Sequence, residues 1–169
     1  MKILCSIALL AVTLALTTTD AEAQQNSATA SANASASIVS AISIVRNVDL
    51  DFGQVVAGGS PGTVVMTPVG SRSATGGATL GSFSSAAAAS FTVSGDPDAA
   101  YSITLPISAT LTSGGDTMIL NNLTSNPSGA GVIGGGGSQV LNVGGTLQVG
   151  ASQPSGAYSG SFNVMVAYN

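Results

Sequence analysis

Asp49 and Asp51 are the acidic pair best spaced for chemistry in this sequence. On a strand over 48–56, alternation places both carboxylates on one face. Oxygen ligands of this kind suit Ca²⁺, with Asp96 or Asp98 as further ligands from a loop. The same spacing describes a solvent-facing edge opposite Leu50 and Phe52, so Asp49 and Asp51 stand as weak calcium candidates beside that plainer reading. The other acids have turn explanations. Asp96 and Asp98 flank Pro97 after Gly95, and Asp116 follows Gly114-Gly115, contexts in which Asp serves turn geometry.

Beyond residue 23 the chain contains no histidine, cysteine, lysine, tryptophan or glutamate. Ser-His-Asp, Cys-His and Ser-Lys nucleophile systems therefore each lack an essential member, and a zinc site has no imidazole or thiolate. A glycosidase needs only two carboxylates, but five aspartates with turn or surface explanations are thin material for one. The expectation is no enzyme and no cofactor. Arg46 and Arg72 are the only cations of this region, too few to neutralise a nucleic-acid backbone. Gly134–Gly137 lacks the Lys-Ser/Thr of a phosphate loop and reads as a hairpin loop.

The elements that must position these residues begin with a leader. Lys2 is followed by an apolar run, Ile3 to Leu16, interrupted only by Cys5, Ser6 and Thr13, and Ala21-Glu22-Ala23 is a small-x-small cleavage pattern. This predicts a secretory signal peptide over 1–23. The run is shorter than the roughly 20 residues of a spanning helix. Cys5 lies at its start, away from the end where a lipidated cysteine belongs. The expected address is periplasmic, cell-surface or extracellular, with no membrane span after cleavage. Seven aromatics are too few for the girdles of an outer-membrane barrel.

Residues 24–37 form an extension in which alanine at even positions alternates with serine, threonine or asparagine, the period of a strand. The alternation strengthens over Ile38–Val45. From 38 to 169 the chain repeats short runs of Val, Ile, Leu, Thr, Phe and Tyr between Gly, Pro, Ser, Asn and Asp. Strands are expected at 48–56, 62–68, 78–83, 89–95, 100–106, 108–112, 117–123, 139–143, 145–150 and 157–168, and a turn or strand edge at Ser84–Ala89. Such spacing predicts an all-β, immunoglobulin-like antiparallel β-sandwich over 38–169. In the last of these strands Tyr158, Phe162, Val164, Val166 and Tyr168 share one parity. A strand this apolar must be covered or it becomes an aggregating edge.

Asp49-Leu50-Asp51-Phe52-Gly53, Gly62-Thr63-Val64, Phe91-Thr92-Val93-Ser94-Gly95 and Tyr101-Ser102-Ile103-Thr104-Leu105-Pro106 follow one another in order. After them come Val143-Gly144-Gly145-Thr146-Leu147-Gln148-Val149 and then Gly156, Tyr158, Gly160, Phe162, Val164, Val166, Tyr168 and Asn169. Together these resemble the DUF4402 family of exported bacterial proteins, which supplies no catalytic residue to carry over. A looser resemblance is to spore coat protein U and the archaic chaperone–usher pilin subunits. It implies an incomplete immunoglobulin-like sandwich whose alternating N-terminal extension, here 27–37, completes a neighbour. The chain departs from those pilins in lacking a disulfide and in offering mostly alanine in the extension.

The expected role is an exported structural or interaction protein, a pilus-like surface subunit in its sharpest form. Its partners would be copies of itself or other surface proteins, reached through the N- and C-terminal strands. The alternative is a secreted carbohydrate- or calcium-binding sandwich.

Overall fold

The computed structural model describes residues 27–82 and 86–169. The expected signal segment and Phe83–Ser85 lie outside those residues. The chain divides into two units, Met1–Ala36 and Ser37–Asn169. In the first, residues 27–36 form no strand and are exposed. The second carries ten strands and, among the described residues, no helix. They are β1 (Ser43–Val48), β2 (Val55–Met66), β3 (Arg72–Leu80), β4 (Ala89–Ser94), β5 (Ala100–Thr104), β6 (Ser108–Ser113), β7 (Asp116–Asn126), β8 (Ala130–Val132), β9 (Ser138–Val149) and β10 (Met165–Tyr168). Seven join in one sheet and three, in the order β10-β5-β8, in a second, and every pairing is antiparallel.

Strand β9 is the axis of the larger sheet. Its first half pairs β4 and its second half pairs β2. Val143 is matched with both Ala89 and Ser125, and Leu147 with both Val64 and Leu120, so β7 runs along the opposite edge. The sequence suggests two strands here, 139–143 and 145–150, broken at Gly144; the structure makes them one. A Cβ on Gly144 would strike the carbonyl oxygen of Met66, and one on Gly145 would lie 2.8 Å from Leu120 Cδ1. These glycines serve close approach rather than a turn.

Two apolar clusters result. Ala89, Val93, Leu141 and Val143 of the large sheet face Tyr101, Ile103 and Ile133, so this half is a two-layer sandwich. Val64, Met66, Ala78, Met118, Leu120, Leu147 and Val149 build the other half with Phe52. Leu50, Tyr158 and Phe162, from segments between strands, pack against that second cluster. Each fully buried aliphatic side chain contributes about 1.5–3 kcal/mol.

Two expected strands are corrected, and the one expected at 78–83 begins earlier, at Arg72. Over 48–56 only the ends are strand, because Gly53 adopts φ 64° and the Asp51 carboxylate accepts its N–H at 2.7 Å, a local turn. The first strand lies earlier, at Ser43–Val48. Over 157–168 only Met165–Tyr168 pair in a sheet, with one isolated bridge from Ser159 to Thr112, although alternating burial continues from Ser161 to Asn169. The stretch 72–77, rich in small residues, is strand because it pairs β2.

Candidate functional site

The aspartates hold themselves in local contacts. Asp49 Oδ1 is 2.7 Å from Arg46 Nη1 on an exposed edge. Asp51 is spent on the Gly53 turn, and its backbone bridges Ala87. Asp98 takes a left-handed conformation, φ 61°, in the turn after Pro97, and Ala99 donates to the Asp96 carbonyl. Asp116 pairs Ser113 across the β6–β7 hairpin. Among the described residues no three His, Cys, Asp or Glu side chains converge on one point.

The larger concavity lies over the second cluster, where residues between strands replace a facing sheet. It has a volume of about 740 Å³. Phe52, Leu111, Met118 and Leu147 give it an apolar floor, and Gln153 and Tyr158 stand at its wall. Gln153 is held on every side. Its Oε1 accepts from Gly150 N–H, and its Nε2 donates to the Thr117 carbonyl and to Tyr158 Oη, which donates in turn to the Pro154 carbonyl. The opposite wall is anchored by Arg72, whose guanidinium donates to the carbonyls of Phe52, Gln54 and Gly81. Phe52, Leu147 and Tyr158 lie in stretches that the sequence singles out, but nothing in it marks these residues as the lining of one cavity, since a cavity arises from what fails to cover a sheet.

The second feature is a groove between two open edges. Among the described residues β1 pairs only β4, and β10 pairs only β5. The two segments pass one another in opposite directions. At one end Tyr168 Oη donates to the Ser40 carbonyl at 2.7 Å. At the other, Val48, Leu50 and the paired Arg46 and Asp49 share a pocket of about 170 Å³ with Gly160, Ser161 and Phe162, floored by Ala89 and Phe91. Between these ends Ile42 and Ile44 from one side, and Val164 and Val166 from the other, are half-buried against the sandwich core. Val45 and Met165 project outward. The sequence does indicate both walls, through the period-two stretches at 38–45 and 157–168; what it does not show is that they meet.

No curated protein and no solved structure matches the chain. A family match does exist, to the domain of unknown function DUF4402, and it runs over residues 42–168, from the residue before β1 to Tyr168. That span holds β1, β10 and the whole cavity, and on it the chain belongs to the DUF4402 family.

Proposed function

We propose that the chain is an exported, non-catalytic structural or interaction protein, a surface or pilus-like subunit. In this reading it is an immunoglobulin-like sandwich that associates with its own copies or with other surface proteins through the strands at either end. The observation that carries the reading is the pair of open edges, β1 and β10, above a shared apolar floor. Open edges present unpaired N–H and C=O groups that recruit another strand. Strand addition satisfies those groups and fills the spaces between alternate side chains. Export rests on the leader pattern at 1–23.

Sedimentation of the purified protein over a wide concentration range, with electron microscopy of the same samples, tests the proposal. Concentration-dependent multimers or filaments are expected. A monomer at every concentration, recovered without partners from the cell envelope, would overturn it.

The cavity of about 740 Å³ supports a second reading, a carbohydrate- or calcium-binding sandwich, because its volume falls within the range of small-ligand sites. Thermal shift against a glycan panel with and without calcium tests it, and no shift at millimolar calcium removes the calcium form.

A further inference from the structure

Resting on the second reading above only in taking the cavity as a ligand site, we propose that the concavity of about 740 Å³ binds a neutral amphiphile, with an alkyl chain on its floor and a hydroxyl or ester head group at its mouth. The floor sets the chain. Phe52, Met118, Leu147 and Val149 are buried core residues, and Val55 and Leu111 lie half-buried beside them. Water in a space lined this way lacks the polar partners that would order it. An apolar chain that displaces such water gains affinity. At roughly 30 Å³ for each non-hydrogen atom, the share of a water molecule in the liquid, the space has the scale of a medium-chain monoglyceride.

The walls set the head group. Gln153 and Tyr158 already exchange hydrogen bonds with one another and with Gly150, Thr117 and Pro154. A ring of sugar hydroxyls buried against them would be left unbonded, which costs free energy. Asp51 is the one charged residue among the lining residues, so a carboxylate or phosphate head would meet a like charge and no cation. One carboxylate is also too few for Ca²⁺, which takes six to eight oxygen ligands. Gln54 and Ser155, both exposed, line the cavity as well and suit a hydroxyl or an ester carbonyl.

Both walls are fixed before any ligand enters. The segment after β9 is tied to β2 by Ser152, which donates to the Gly58 carbonyl at 2.7 Å, and to β7 by Gln153, which donates to the Thr117 carbonyl. It also lies against β6, where a Cβ on Gly156 would strike the Ser113 hydroxyl. Arg72 holds the other wall through the carbonyls of Phe52 and Gln54. Walls held this way need no ordering on binding, so little affinity is lost to reorganisation.

Calorimetric titration of the full chain with 1-monolaurin, kept below its micelle-forming concentration, tests the proposal. Saturable binding is expected, with laurate, the same chain under an anionic head, about tenfold weaker. Leu111→Trp fills the floor and should weaken monolaurin binding about tenfold or more. Ile119→Trp, on the opposite face of the same sheet, should leave it unchanged. Ala157→Trp locates the ligand independently of whether Leu111→Trp folds. Ala157 is exposed and lines the cavity, and the chain has no tryptophan of its own, so monolaurin should shift the emission to shorter wavelength. Equal binding of laurate and monolaurin would overturn the neutral head group. Binding that Leu111→Trp retains, with no shift from Ala157→Trp, would overturn the location. A glycan or calcium that binds where monolaurin does not would overturn the ligand class and leave the cavity reading intact. No binding by any of these probes would overturn both.

Discussion

The hydroxyl of Tyr168 occupies the space that a side chain on Gly95 would need. A Cβ built on Gly95 meets Tyr168 Oη inside contact distance and lies 2.8 Å from Ile133 Cδ1. From this position Tyr168 accepts the backbone N–H of Asp96 at 2.7 Å and donates to the Ser40 carbonyl at 2.7 Å. One phenol thus joins the turn after β4, the lead-in to β1 and the small sheet. The glycine is what lets the ring approach the backbone.

A double-mutant cycle follows from this packing. Gly95→Ala should lower stability by about 1–3 kcal/mol through overpacking. Tyr168→Phe should cost about 1–2 kcal/mol by removing both hydrogen bonds. Because the hydroxyl is the atom most in the way, Gly95→Ala should cost measurably less in the Tyr168→Phe background than in the parent. Urea denaturation of the four proteins gives the coupling; strict additivity would mean that the two residues do not compete for space.

Arg72 should behave as a structural clamp. Its guanidinium holds the carbonyls of Phe52, Gln54 and Gly81, a three-point arrangement that a planar fork can satisfy and an ammonium cannot. Arg72→Met keeps the aliphatic stem and should cost about 1–3 kcal/mol, as partly buried carbonyls lose their donor. Arg72→Lys should recover only part of that. Chemical denaturation of both variants checks the order, and equal stability of the lysine variant and the parent would show that charge alone suffices.

The contrast between Arg72 and the terminal strands shows what the sequence can carry. Alternation at 157–168 reports burial correctly, residue by residue from Ser161 to Asn169, because side-chain period depends on the local backbone. It overstates pairing: most of that segment is extended without a neighbour, since pairing depends on what lies alongside. Gly144-Gly145 looks like punctuation locally and proves to be a close contact with Met66 and Leu120. Of the candidate sites, Asp49 and Asp51 were visible as a spacing, yet each is occupied by a neighbour three or two residues away. The groove and the cavity were legible only as their separate walls, because both are made by residues that meet across long sequence separations.

Gly144 supports a sharper test of the continuous β9. Gly144→Ala would drive a methyl group into the Met66 carbonyl, with the backbone of Thr67 and Pro68 also in the way. Backbone cannot yield as a flexible side chain can, so the loss should exceed that of an ordinary surface Gly→Ala change and reach about 2–3 kcal/mol. Amide hydrogen exchange should show faster opening on both sides of the joint, at the β2 and β7 pairings. Unchanged protection there would mean that β9 acts as two independent strands.

Tyr101 links stability to pH at the alkaline end. The residue is fully buried, its hydroxyl donates to Gln139 Oε1 at 2.7 Å, and Gly131 leaves the ring its space. Burial pushes the phenol above its ordinary value of 10.0, because the phenolate would lose its hydration. Since the folded value is the higher one, the unfolded chain ionises first as pH rises. The stability that neutral Tyr101 contributes is complete below about pH 10 and is lost progressively as pH climbs toward the folded value. Tyr101→Phe should remove this component while costing about 1 kcal/mol near neutrality for the stranded Gln139. Urea midpoints across the alkaline range should therefore fall more steeply for the parent than for Tyr101→Phe. Parallel curves would show that Tyr101 ionises as readily in the folded chain as in the unfolded one.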